Sequence, residues 1–179
     1  MSDRKLYIEF TRPHEDYKKY PLLSWFIRAF EQTPYSHVRL TWVNSTNRKV
    51  VYEASGMSVK FMGTIAQEDH KVVVCDSYEI DITREEYRAL IDLCMEYAGI
   101  SYGIMQLVGM GLTYLPWIEK NPYSDGRKSQ VCSELVGAFL ERVKKVDVAE
   151  DLDIAGPKDI NKTLSKLDRS DIRKGFFKS

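Results

Sequence analysis

The chain has few residues that could staple it together or hold a metal. Its 179 residues include only three cysteines and three histidines. Cys75, Cys94 and Cys132 have no paired spacing, which excludes a disulfide framework. No Cys-x-x-Cys or His-x-x-x-His run is present, so the usual zinc patterns are missing too. Excess charge of one sign is also lacking: 26 Lys and Arg balance 26 Asp and Glu. That balance gives no general pull toward nucleic acid or an anionic membrane. The basic tail residues Arg169, Arg173, Lys174 and Lys178 are interleaved with Asp168 and Asp171, which reads as a solvated helix end. The longest weakly charged stretch, residues 103–118, is short and is broken by Gln106 and Pro116, so no transmembrane segment is expected. The first residues are polar and charged rather than an apolar secretory leader. The expectation is a reduced, cytoplasmic protein with no cofactor and no nucleic-acid partner.

What is present suits one globular domain over residues 1–179. Apolar residues make up 44% and charged residues 29%, enough for a real core. Residues 5–10 read as a strand. Residues 21–32 read as a helix opened by Pro21, with Leu22, Leu23, Phe26, Ile27 and Phe30 at helical spacing. Strands are expected over 37–43, 49–54, 58–62 and 71–80, separated by turns holding Asn44, Asn47, Gly56 and Gly63. A helix starts after Thr83 and stops at Gly99, with Glu85 and Glu86 in its first turn. Residues 102–117 read as apolar and helical, 121–128 as a loop, 132–145 as a helix and 157–166 as a short helix. Helices bracketing one block of antiparallel strands indicate α+β.

Cys132 is the residue with chemistry. It ends a polar loop and begins an amphipathic helix carrying Leu135, Val136, Phe139, Leu140 and Val143. A thiol at a helix N-terminus faces unpaired N–H groups and the positive end of the dipole, which favour thiolate and can hold an oxyanion. Cys75, ending a strand-like run, and Cys94, on the apolar stripe of a helix, read as packed core thiols.

A nucleophile needs a base. His14 and His70 lie in loops, whereas His37 opens a strand. In the hairpin that follows, Val38, Leu40 and Trp42 form one apolar face, and Val50, Tyr52 and Ala54 form another. Pairing these faces about a turn centred on Ser45 puts Glu53 directly across from His37 on the opposite face. A glutamate there can hold one imidazole nitrogen and leave the other for a thiol. The competing reading makes His37 a half-exposed sheet residue, with a glutamate near Arg39 or Lys49 forming a surface salt bridge.

Four segments together resemble a known group: Tyr35-Ser-His-Val-Arg-Leu, Val51-Tyr-Glu-Ala, Ile100-Ser-Tyr-Gly and Val131-Cys-Ser-Glu-Leu-Val. They are similar to the permuted NlpC-type papain-like cysteine hydrolases, the YiiX-like group. Trp25-Phe-Ile-Arg upstream and Gly156-Pro-Lys-Asp-Ile downstream extend the resemblance over residues 20–160. It implies a circularly permuted papain-like fold, with a small antiparallel sheet or half-barrel packed against helices and the His strand preceding the Cys helix. It also implies roles: Cys132 as nucleophile, His37 as general base and acid, and Glu53 as the group orienting His37. Tyr102, with Tyr35 and Ser36, would serve substrate or oxyanion binding.

The expected reaction is hydrolysis of an amide, in a peptide or peptidoglycan fragment, through a thioester. A chain without a leader can act on cytosolic peptides, or reach the cell wall after lysis if phage-encoded. Two alternatives stay open: hydrolysis or transfer of a lipid or acyl ester, and a non-catalytic binding protein on the same fold. The apolar run from Ile104 to Trp117 can line an acyl pocket or simply form core. A zinc site from His37, Glu53 and Cys132 is a third reading, which no ligand spacing supports.

Overall fold

The computed structural model describes residues 4–15, 21–44, 46, 48–55, 58–63, 72–113, 116–118, 120–123, 129–148, 152–167 and 172–175. Leu6, Ile8 and Phe10 alternate with Tyr7 and Glu9, and this two-residue period forms strand β1 (Arg4–Pro13). It is longer at both ends than the sequence suggests, because it pairs antiparallel with a strand on each side. One neighbour is β2 (His37–Val43), the other β5 (Val72–Ile82). Between β1 and β2 lies helix α1 (Pro21–Glu31). Beyond β2 the sheet continues through β3 (Lys49–Ser55) and β4 (Ser58–Gly63). Two short strands complete that side, β6 (Ser101–Tyr102) and β7 (Ser129–Gln130), which pair in parallel. On the far side β8 (Ile172–Gly175) pairs with β5. Among the described residues the sheet therefore has eight strands, in the order β7-β6-β4-β3-β2-β1-β5-β8. Residues 172–175 of the tail expected as a solvated helix end form this edge strand, and the rest of that segment lies outside the described residues.

Among the described residues four further helices accompany the sheet. Helix α2 (Arg84–Tyr97) opens with a reciprocal cap: Thr83 Oγ1 accepts from Glu86 N at 3.1 Å, and Glu86 Oε2 accepts from Thr83 N at 2.8 Å. It is followed by Gly99 at φ +84°, a left-handed conformation that suits glycine. Helix α3 (Ile104–Leu112) is shorter than the apolar run, and α4 (Cys132–Arg142) and α5 (Pro157–Lys166) follow. Core residues of β1, β2, β3 and β5 meet Leu90, Leu93, Cys94 and Tyr97 of α2, and Leu135, Val136, Phe139 and Leu140 of α4. Each such large apolar side chain, fully buried, contributes about 1.5–3 kcal/mol relative to exposure. The α+β expectation holds in this architecture. Among the described residues no helix is long and apolar enough to cross a membrane.

The other face of the central strands is buried as well, and it is polar. Glu9 and Thr11 of β1, Arg39 and Thr41 of β2, Glu53 of β3 and Ser77 of β5 are all buried. Alternation places them together: Glu9 lies opposite both Arg39 and Ser77, and Thr11 lies opposite His37.

The hairpin register differs from the sequence expectation. Leu40 pairs with Tyr52, Thr41 with Val51, Trp42 with Val50 and Val43 with Lys49. The turn is centred on Thr46 rather than Ser45. Asn44 sets it: its Oδ1 accepts from Thr46 N at 3.0 Å, Thr46 Oγ1 at 2.8 Å and Arg48 N at 2.9 Å. Each residue of β2 thus meets a partner two positions further along β3 than expected, and every side chain keeps its face.

Candidate active site

Two-residue strand β7 leads through Val131 straight into α4, so Cys132 is the first helical residue. Val131 is extended and its N–H donates to Glu134 Oε2 at 2.9 Å. That bond uses the N–H ahead of the helix. The Cys132 N–H, in the first turn, has no intrahelical acceptor available to it. Residues 132–140 are all buried, with Cys132 only 2% exposed, and α4 packs against β2 and β3.

His37 stands at the start of β2 and is partly exposed. Its Nε2 lies 3.1 Å from Glu53 Oε2. Continuing the observed register makes Glu53 a diagonal neighbour of His37 on the same face, a separation of about 7–8 Å that long side chains bridge. With Nε2 turned to Glu53, the ring is also within the influence of the Cys132 side chain. Burial pulls the imidazole pKa down from its ordinary 6.5. The charge and hydrogen bond of Cys132, followed by those of Glu53, outweigh that effect and lift the pKa to about 10. Cys132, His37 and Glu53 thus form one interacting row: Glu53 meets the ring at 3.1 Å, and Cys132 acts on it through charge.

The other residues expected at the site are placed differently. The Tyr35 ring packs against Phe10 with centroids 4.9 Å apart, and burial raises its phenol pKa. Ser36 shares a hydrogen bond of 2.7 Å with Ser24 of α1, and its N–H donates to Thr11 O at 3.0 Å. Both residues fix the approach to His37 from α1. The backbone of Tyr102 pairs beside Gln130, two residues before Cys132, while its side chain lies outside the described residues. His14 is exposed, and His70 lies outside the described residues. Cys94 is a core thiol whose pKa burial raises. Cys75, expected to be fully packed, is half-buried, and its Sγ lies 3.5 Å from Pro34 O.

The sequence reading missed the charges beneath the row. Arg39 donates from Nε to Glu9 Oε2 at 2.9 Å, and its Nη2 lies 2.7 Å from the same oxygen. Lys49 Nζ lies 3.1 Å from Glu9 Oε1. A glutamate at position 9 in the middle of a strand, with basic residues on the next two strands, is the signal in the sequence, and it does not reveal burial. Among the described residues no three His, Cys, Asp or Glu side chains converge as a metal-holding group.

Among solved structures, the fold resembles the crystal structure of metalloprotein yiiX from Escherichia coli O157:H7. The TM-score is 0.54 at 16% sequence identity, and the match covers 92% of this chain and 83% of that one. At that identity the likeness is one of fold. No protein-family model and no curated protein matches the chain.

Proposed function

We propose that this chain is a cysteine hydrolase of the permuted papain-like type, cleaving an amide through a thioester. The observation that carries the reading is the row Cys132–His37–Glu53, assembled from a helix start, a strand start and a neighbouring strand. The order of His strand before Cys helix, and the likeness to the yiiX fold, agree with it.

The chemistry follows from the two protonation partners. Thiolate Cys132 attacks the carbonyl carbon, and the carbonyl π pair moves onto oxygen, where the Cys132 N–H and the α4 dipole stabilise it. One such donor is worth on the order of 3 kcal/mol in the transition state. As the carbonyl re-forms, the C–N bond breaks and imidazolium His37 gives its proton to the departing amine. Water then loses a proton to His37 and attacks the thioester. The C–S bond breaks, leaving a carboxylic acid, the thiolate and imidazolium. Glu53 holds the ring so that the same nitrogen serves both transfers.

The metal named for yiiX is not carried over through these residues, because among the described residues no three His, Cys, Asp or Glu side chains converge. An acyl ester as substrate has one observation in its favour. Met105 and Val108 of α3 and the following Trp117, 74% exposed, present apolar surface just beyond Tyr102. Assaying hydrolysis of peptidoglycan stem peptides against that of acyl esters separates the two.

The test of the central reading is thiol reactivity. Iodoacetamide should modify Cys132 faster than Cys75 or Cys94 at neutral pH in the folded protein, and His37→Ala should remove that advantage. If Cys132 reacts no faster than the other two, a binding protein on this fold is the better reading.

A further inference from the structure

Helix α5 opens with its backbone donors shared out between two carboxylates. Pro157 has no N–H, and Gly156 N donates to Asp159 Oδ2 at 3.1 Å. Asp159 N and Ile160 N both donate back to Gly156 O. Lys158 N turns outward instead, to Oε2 of Glu31 at 3.0 Å. Glu31 is the last residue of α1 and is buried. Its Oε1 sits over Gly156, where a Cβ would stand 1.9 Å away. The two helices joined in this way lead to the two halves of the candidate row. Helix α1 is tied to the start of β2 by the 2.7 Å bond between Ser24 and Ser36, the residue before His37. Between them the chain turns at Gln32, whose φ of +54° is costly for a residue with a side chain and persists where neighbours hold it. Helix α5 packs on α4, where a Cβ at Gly137 would stand 3.6 Å from Ile160 Cδ1, and Ile160 is fully buried. Gly137 lies in the second turn of the helix that Cys132 opens.

We propose that Glu31 is a positioning residue: by joining the end of α1 to the start of α5, it holds the Cys132 helix at its working distance from His37. The inference rests on the reading of Cys132, His37 and Glu53 as a catalytic row. Strand pairing with Thr11 fixes the backbone of His37 on the sheet. The place of Cys132 depends on how α4 lies against that sheet, and α5 is the helix braced between α4 and α1. The brace closes a circuit from His37 through Ser36, Ser24, Glu31, Lys158, Ile160 and Gly137 to Cys132. What the brace needs from residue 31 is a buried acceptor of glutamate length.

The experiment reads the His37 titration midpoint by NMR in the full chain. Burial lowers that midpoint, and Cys132 is the first of the influences that raise it. An opposite charge within about 4–6 Å moves a pKa by about one to three units, and its effect weakens with distance. Glu31→Met, which keeps the length and loses the acceptor, should therefore lower the midpoint by about one unit. Glu31→Gln, which keeps the acceptor and loses the charge, should leave it in place. In a Cys132→Ala background, Glu31→Met should bring no further fall, because Glu31 acts through the position of Cys132. Should Glu31→Met fail to fold, Gly156→Ala pushes the carboxylate off α5 with Glu31 intact and should give the same fall. A midpoint unmoved by Glu31→Met or Gly156→Ala overturns the role of Glu31 alone. So does a fall of equal size in Glu31→Gln or in the Cys132→Ala background. A midpoint that Cys132→Ala itself leaves in place overturns the catalytic row and this inference together.

Discussion

The perturbation that separates the forces on His37 is the pair of substitutions Cys132→Ala and Glu53→Gln. Three influences act on the ring. Burial favours the neutral imidazole, whereas the Cys132 thiolate and the Glu53 carboxylate favour the cation. The net rise from 6.5 to about 10 corresponds to about 5 kcal/mol in favour of imidazolium. A hydrogen bond to a charged group is worth about 1.5–3 kcal/mol, so Glu53→Gln alone should lower the His37 midpoint by about one to two pH units. Cys132→Ala should lower it further, since the thiolate contributes the larger share. With both partners replaced, burial acts alone and the midpoint should fall below 6.5. The sign of the displacement from the ordinary value therefore reverses. Ring chemical shifts followed by NMR against pH measure this directly. The chain has three histidines, and the resonance missing from His37→Ala identifies the one that matters. A wild-type midpoint at or below 6.5, or a double-variant midpoint still above it, would refute the reasoning.

Two stability predictions come from residues away from the row. A Cβ at Gly109 would lie 1.8 Å from Asn121 Oδ1, and Asn121 is fixed by bonds to Gln106 O, Asp153 O and Tyr123 N, each at 3.0 Å. Gly109→Ala should therefore cost about 2 kcal/mol and lower Tm by about 4–8 °C, and an unchanged melt would show that Asn121 can give way. Glu31 is buried against the start of α5, where it accepts from Lys158 N at 3.0 Å, and burial lifts its pKa from 4.5 to about 7. Between those values the unfolded chain has released the proton that the folded chain keeps, so stability falls as pH rises, by at most about 3 kcal/mol. Glu31→Gln should flatten that fall in denaturant titrations and raise stability above about pH 8, and a wild-type curve without the fall would contradict the assignment.

Sequence signals that are local survived folding. Cys132 begins a helix because an apolar stripe starts there after a polar loop, and His37 begins a strand because alternation starts there. Thr83, Glu86 and Gly99 marked the limits of α2 through cap and turn chemistry. What was not legible depends on neighbours distant in sequence. Strands β6 and β7 are two residues long, too short for any period to show. Strand β8 exists because β5 offers it an edge, and its charged residues read equally well as a helix end. The burial of Glu9 and Arg39 was hidden for the same reason. Alternation told which face they share, but only tertiary cover makes that face interior rather than wet.

The register error shows why the candidate site could still be reached. A slip of one residue would have sent Glu53 to the apolar face and broken its link with His37. The observed difference is two residues, which keeps every side chain on its face and changes only its partner. Glu53 meets His37 diagonally instead of head-on, and the 3.1 Å bond is made by side-chain reach. On its other side Glu53 pairs with Lys60 of β4, so the strand position that reaches His37 diagonally also has a basic residue directly across from it. The turn set by Asn44 shifts partners by two residues, and it is the even size of that shift that leaves Glu53 within reach of the ring.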